Sequence, residues 1–143
     1  MFIIKKKYYL IIENTKDIKL NNIKKKNKFT IIYRNDKTKE KIDDLNRFRA
    51  ECKNKKIKLF IANNIKLAIK LGSDGIYISA HNKNLKFNRY ISNKFKVIGS
   101  AHNLREINIK KRQGCTDIFL SRLFKTDYTY KNSYLGLIRF NLL

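Results

Sequence analysis

No stretch of this 143-residue chain holds the roughly 20 consecutive apolar residues that a membrane-spanning helix needs. Cysteine is nearly absent. Cys52 and Cys115 stand far apart with no Cys-x-x-Cys pair, so neither a zinc site nor a disulfide framework is indicated and two reduced thiols are expected. No Gly-x-Gly-x-x-Gly or Walker-type loop follows any apolar run, which weighs against a nucleotide-binding sheet. No Ser-His-Asp or Cys-His arrangement offers an activated nucleophile, and the aromatic-interleaved signature of an RNA-recognition module is missing. Acidic residues are scarce as well: 11 Asp and Glu stand against 34 Lys and Arg, a formal charge of +23.

Such a charge ordinarily points to nucleic acid. Here the basic residues are overwhelmingly Lys, travel with abundant Asn and Ile, and are spread along the whole chain, the pattern that AT-rich codons produce. The densest runs, Lys5-Lys6-Lys7 and Lys24-Lys25-Lys26, flank strands and form no single helical stripe, so they read as solvated surface. The remaining composition, 43% hydrophobic and 12% aromatic, is that of one folded domain with a real core, expected over residues 1–143. The start, Met1-Phe2-Ile3-Ile4-Lys5-Lys6-Lys7, places apolar residues before basic ones, the reverse of a secretory signal. A cytoplasmic location is the expectation.

Short apolar runs at residues 8–13, 29–33, 57–62, 75–79, 96–99 and 117–121 read as six strands. Residues 14–27 are polar and too weakly periodic for a helix. Ile42, Leu45, Phe48 and Arg49 recur at helical spacing and predict an amphipathic helix over 37–55. Further helices are predicted over 65–71, closed by Gly72, and over 104–113, ended by Gly114. Residues 134–143 look like the opening of one more.

Strands alternating with helices give an α/β chain with a parallel sheet. A closed (β/α)8 barrel of the TIM type needs at least about 200 residues. This chain supplies about six of the eight units, so the expected fold is an incomplete TIM-type barrel, shortened at its C-terminus. Ligands in such folds sit beyond the carboxyl ends of the strands, where Asn63, Asn64 and the segment from Ser79 to Asn82 share one rim.

Several segments, in order, resemble thiamine phosphate synthase and its TenI-like relatives. Lys7-Tyr8-Tyr9-Leu10-Ile11-Ile12 looks like the family's first strand and Tyr33-Arg34 like the end of its second. Leu67-Ala68 and Ser73-Asp74-Gly75 echo its Leu-Ala and Ala-Asp-Gly, Ile98-Gly99 and Ser100-Ala101-His102 its Ile-Gly, Ser-x-His segment. Leu123-Phe124-Lys125-Thr126, with Lys131 following, echoes its Gly-Pro-x-Phe-x-Thr and later Lys. The resemblance runs from about Lys7 to Phe140. It implies coupling of hydroxymethylpyrimidine pyrophosphate to a thiazole phosphate with release of pyrophosphate, in which developing negative charge is met by Mg2+, Arg, Lys and hydroxyls.

The chain departs from that pattern where the metal would bind. The family's Asn-Asp pair falls on Asn63-Asn64, or on Ala62-Asn63 if aligned without a gap. Its second metal-binding Asp falls near Asn82 in Ala80-His81-Asn82. Mg2+ binds through one or two carboxylates plus substrate phosphates. Two neutral amides therefore remove two negative charges, and no metal ligand and no catalytic residue is assigned. The family's Gln before Arg34 is Ile32, and Lys37 stands near the family's next Lys but out of register. What the resemblance leaves is an anion-binding set of Arg34, Lys37, Asn63, Asn64, Ser100, Thr126 and Lys131. Bland alternatives stand beside these: Arg34 as an ordinary rim ion-pair partner, Ser100 and His102 as an N-cap segment before Leu104, and His81 as a loop residue.

Three readings follow. The first is a thiamine phosphate synthase-like protein with Mg2+ implied by the family but unsupported by the residues. The second is a non-catalytic relative that binds a phosphorylated pyrimidine or thiazole, and the third a basic nucleic-acid-binding protein. No membrane partner is expected. An apolar terminus (Leu135, Leu137, Ile138, Phe140, Leu142 and Leu143) suggests a homo-oligomer or a complementing barrel fragment as partner.

Overall fold

Runs such as Phe29-Thr30-Ile31-Ile32-Tyr33 are apolar at every step, without alternation, as strands buried on both faces must be. In the computed structural model such runs form six strands, and the residues described are 7–24, 28–36, 40–87, 95–121, Gly136 and Phe140. The strands are β1 (Tyr8–Ile12), β2 (Phe29–Tyr33), β3 (Lys58–Ala62), β4 (Gly75–Ile78), β5 (Lys96–Ala101) and β6 (Asp117–Leu120). Their order in the sheet is their order in sequence. The helices are α1 (Ile42–Asn54), α2 (Ile65–Lys70) and α3 (Leu104–Arg112). The chain divides into two compact units, Met1–Ile76 and Tyr77–Leu143, with β4 running across the division.

In the first unit β1 pairs parallel with β2, from Tyr8 opposite Phe29 to Ile12 opposite Tyr33. Strand β2 pairs parallel with β3, ending with Tyr33 opposite Ile61. Between β1 and β2 the weakly periodic segment forms two short 3-10 turns, Thr15–Asp17 and Leu20–Asn22, in place of a longer helix. The first is closed by a reciprocal cap: Asn14 accepts from the Lys16 N–H, and Asp17 accepts from the Glu13 and Asn14 N–H groups.

Helix α1 begins at Ile42, five residues later than its periodicity suggests. Lys41 is extended, and residues 37–39 lie outside the described residues. The helix buries Leu45, Phe48 and Cys52 along one stripe. Arg49 does not extend that apolar stripe. Its guanidinium donates to the Gly72 carbonyl at 2.8 and 3.0 Å and to both Asp74 oxygens at 2.8 and 3.2 Å. Asp74 also accepts the Leu59 N–H at 2.8 Å, so one carboxylate ties α1, β3 and the turn before β4. That turn is a helix C-cap: Gly72 sits at φ +56°, and the Ser73 N–H donates to the Ala68 carbonyl.

The second unit repeats the device. Gly114 sits at φ +82° and the Cys115 N–H donates to the Lys110 carbonyl, so Lys110 takes the place that the fully buried Ala68 holds in the first unit. Strands β5 and β6 pair parallel, from Ile98 opposite Asp117 to Ala101 opposite Leu120. Strand β5 runs two residues beyond the expected end, so Ser100 lies within a strand; Asn103 caps α3 instead, accepting from the Glu106 N–H at 2.9 Å. Both thiols are free, Cys52 buried and Cys115 half-buried. Among the described residues no helix is long and apolar enough to cross a membrane.

Candidate functional site

Residues just past the carboxyl ends of parallel strands form the rim on which ligands bind in β/α folds. In the first unit this rim carries Arg34, Asn63 and Asn64. The Arg34 N–H donates to the Ile12 carbonyl at 2.8 Å, which fixes its backbone against the end of β1. Its side chain, 38% exposed, pairs through Nε with Asp36 at 3.1 Å. Continuing the register of β2 on β3 sets Arg34 level with Ala62, beside the Asn63-Asn64 turn. Asn63 has φ +57°, a left-handed conformation that Asn tolerates better than most side chains. Asn64 caps α2, its Oδ1 accepting the Leu67 N–H at 3.0 Å. Lys37 lies outside the described residues.

In the second unit the rim carries the loop after β4, the end of β5 and the start of α3. Ser100 is buried and its Oγ accepts the Tyr77 hydroxyl at 2.8 Å. His81 follows β4 and His102 follows β5, with ring centroids 5.7 Å apart. Asn82 directs its side chain into the loop, Oδ1 accepting the Asn84 N–H at 3.0 Å. Thr126 and Lys131 lie outside the described residues.

The positions to which the resemblance assigns metal-binding carboxylates, Asn63-Asn64 or, without a gap, Ala62-Asn63, and Asn82, carry no carboxylate. Asn64 and Asn82 spend their side-chain oxygens on neighbouring N–H groups. Among the described residues no group of three His, Cys, Asp or Glu side chains is arranged to hold a metal. These residues do not fit Mg2+, which takes its affinity from charged oxygen ligands.

Sequence reasoning passed over Lys110 and Gln113, both fully buried. Lys110 Nζ donates to the Ser79 carbonyl at 2.7 Å, the Asn82 carbonyl at 2.7 Å and Gln113 Oε1 at 2.8 Å. Gln113 Nε2 donates to the Asn82 and Asn84 carbonyls at 2.9 and 3.0 Å. An ammonium has three protons, and here each has an acceptor. Burial lowers the Lys110 pKa from its ordinary value, opposed by Cys115 and Glu106 nearby. The pair acts as a clamp that shapes the loop after β4. Its signal was in the sequence: both helices end four residues later in Gly, and where the first has Ala68 the second has Lys110.

A cavity of about 640 Å3 lies elsewhere in the first unit, between the two 3-10 turns and α1, lined among others by Lys16, Lys19, Arg47, Phe48 and Glu51. None of the expected site residues lines it.

Parallel β/α units with an arginine and amides just past the strand ends are the architecture of β/α folds, in which ligands sit on the carboxyl rim. The chain belongs to the thiamine monophosphate synthase family, whose model (TMP-TENI) matches residues 3–141. Among solved structures it is similar to a thiamine phosphate pyrophosphorylase from Pyrococcus furiosus, with a TM-score of 0.65 and 16% identity over 94% of this chain and 67% of that one. That likeness shows the fold, a TIM-type barrel fold of which the described residues carry six strands. No curated protein sequence gives a significant match.

Proposed function

We infer that this thiamine phosphate synthase-like chain binds a phosphorylated pyrimidine or thiazole on the carboxyl rim and does not carry out Mg2+-dependent coupling. In the first unit Arg34 supplies the fixed charge and a two-pronged donor for a phosphate, and Asn63 contributes a neutral polar group beside it. The chain acts as one domain in the cytoplasm, alone, as a homo-oligomer or with a complementing barrel fragment. The observation that carries this reading is the engagement of the amides: Asn64 and Asn82 hold neutral oxygens where a divalent cation needs carboxylates, and both are spent on backbone N–H groups. A metal-free phosphate site keeps its anion affinity through Arg34 but lacks the positive charge that stabilises departing pyrophosphate.

Calorimetric titration with hydroxymethylpyrimidine pyrophosphate, with and without Mg2+, tests it. Binding is expected in both, with less than a tenfold gain from Mg2+, and no thiamine phosphate forms when thiazole phosphate is added. A tenfold or larger Mg2+-dependent gain, or turnover, overturns the reading.

A further inference from the structure

The chain has two histidines, 21 residues apart in sequence, and the fold sets their rings side by side. His81 is exposed in the loop after β4, and His102 follows β5 half-buried. The ring centroids are 5.7 Å apart and the planes inclined by 40°, which is too far apart and too tilted for a face-to-face stack. An ion bonded at about 2.0–2.1 Å to a ring nitrogen lies about 3.2 Å from that ring's centroid. Two rings sharing one ion then have centroids about 5.2 Å apart at a tetrahedral angle and at most about 6.4 Å apart when opposed. The observed spacing lies between these limits.

His102 carries a second mark of a ligand. Its Nδ1 lies 3.0 Å from Glu106 Oε2, and the same oxygen accepts the His102 backbone N–H at 2.7 Å. Glu106 is itself fixed, its N–H donating to Asn103 at the start of α3. A carboxylate acting only as acceptor assigns a proton to Nδ1, so that in the neutral imidazole it is Nε2 that carries the lone pair. This carboxylate–histidine arrangement orients metal-binding imidazoles and raises their basicity. No third His, Cys, Asp or Glu joins the pair among the described residues, so water or a ligand oxygen must complete the coordination.

We propose that His81 and His102 form a two-imidazole site for a borderline divalent transition ion such as Zn2+ or Ni2+, with Glu106 as the positioning residue behind His102. The site is chemically distinct from a Mg2+ site, because imidazole nitrogen suits the later first-row ions and hard oxygen ligands suit Mg2+. It stands whether or not the chain binds a phosphorylated pyrimidine.

The test uses the full chain without a polyhistidine tag, titrated with ZnCl2 by calorimetry and followed by NMR of the two histidine rings. One equivalent of Zn2+ is expected to bind and to move both sets of ring resonances together, with the His102 change at Nε2. His81→Ala and His102→Ala each lower the affinity at least tenfold, and Glu106→Gln lowers it about tenfold, the scale of losing the group behind a metal-bound histidine. A hundredfold excess of Mg2+ leaves the complex intact. Absence of binding, binding that leaves the wild-type histidine resonances unmoved, or displacement by Mg2+ overturns the proposal. The wild-type NMR arm holds even if a variant fails to fold.

Discussion

A lysine ammonium with no exposed surface keeps its charge only because every proton it carries has an acceptor, and Lys110 meets that condition with the Ser79 and Asn82 carbonyls and Gln113. Lys110→Met keeps the stem and removes the donors, and should cost about 2–4 kcal/mol, measured by urea unfolding, against less than about 0.5 for the exposed Lys111→Ala. The pH dependence has a definite sign. Because the folded pKa of Lys110 lies below 10.5, the unfolded chain holds more protons between those values, and this group's contribution to stability rises with pH there. The thiols run the other way. Burial pushes Cys52 from 9.0 to about 12 and Cys115 to about 11, so their contribution is complete below pH 9 and falls as pH rises through those values. At pH 8 the native Cys52 has roughly a thousandfold smaller thiolate fraction than the unfolded thiol, so iodoacetamide should label it at least that much more slowly in the folded chain. Comparable rates in the native and urea-unfolded protein would show that Cys52 is not held in the core.

Helices α2 and α3 each start on an asparagine cap, Asn64 and Asn103, and are closed by a glycine at positive φ, Gly72 and Gly114. Asn103 caps α3 through the Glu106 N–H, and Asn103→Ala should cost about 1 kcal/mol. Gly99, inside β5, faces the following turn: a Cβ there would meet Cys115 Sγ at 2.8 Å and Lys110 Cδ at 2.9 Å. Gly99→Ala should therefore cost about 1–3 kcal/mol by overpacking, checked by the same unfolding assay. These elements also mark what the sequence made legible. Continuous apolar runs located all six strands, and Leu45 and Phe48 located α1, because burial on a sheet or stripe is written in local spacing. The end of β5 was misread, since Ser100 and His102 before Leu104 resemble a cap whereas the strand pairing of Ser100 with Phe119 depends on a partner 19 residues away. The Lys110 clamp and the His81–His102 contact were hidden for the same reason. Each joins positions 21 or more residues apart, and a Lys in a basic helix looks like any solvated Lys. Asn64, which the resemblance sets in place of a carboxylate on one of two alignments, serves as a helix cap, and that use depends on a bond that composition cannot display.

Across the whole molecule a charge of +23 produces a field that attracts every polyanion, and it must be separated from a site that recognises a phosphate. A diffuse field acts through many lysines at once. Its signature is a binding constant for duplex DNA that falls steeply with salt, each phosphate neutralised contributing a slope near −0.9. Removing one charge out of 34 Lys and Arg changes that slope by at most about one such contribution. A built site behaves otherwise, because one guanidinium fork carries much of the contact with a small phosphorylated ligand. Arg34 is the residue on which the two accounts differ. It sits at the end of β2 with its backbone fixed on Ile12 and its side chain in an exposed pair with Asp36. An exposed pair contributes little to folding, so Arg34→Ala should unfold within about 0.5 kcal/mol of wild type. The same substitution should weaken hydroxymethylpyrimidine pyrophosphate binding by about 1.5–3 kcal/mol, the scale of a hydrogen bond to a charged group. Lys should restore only part of that loss, since an ammonium cannot supply the paired donors. Meanwhile the salt slope for duplex DNA should stay within one unit of wild type. If Arg34→Ala instead lowers small-ligand and DNA binding in step, with affinity for both tracking salt alike, then Arg34 is one more surface charge and the rim holds no phosphate site.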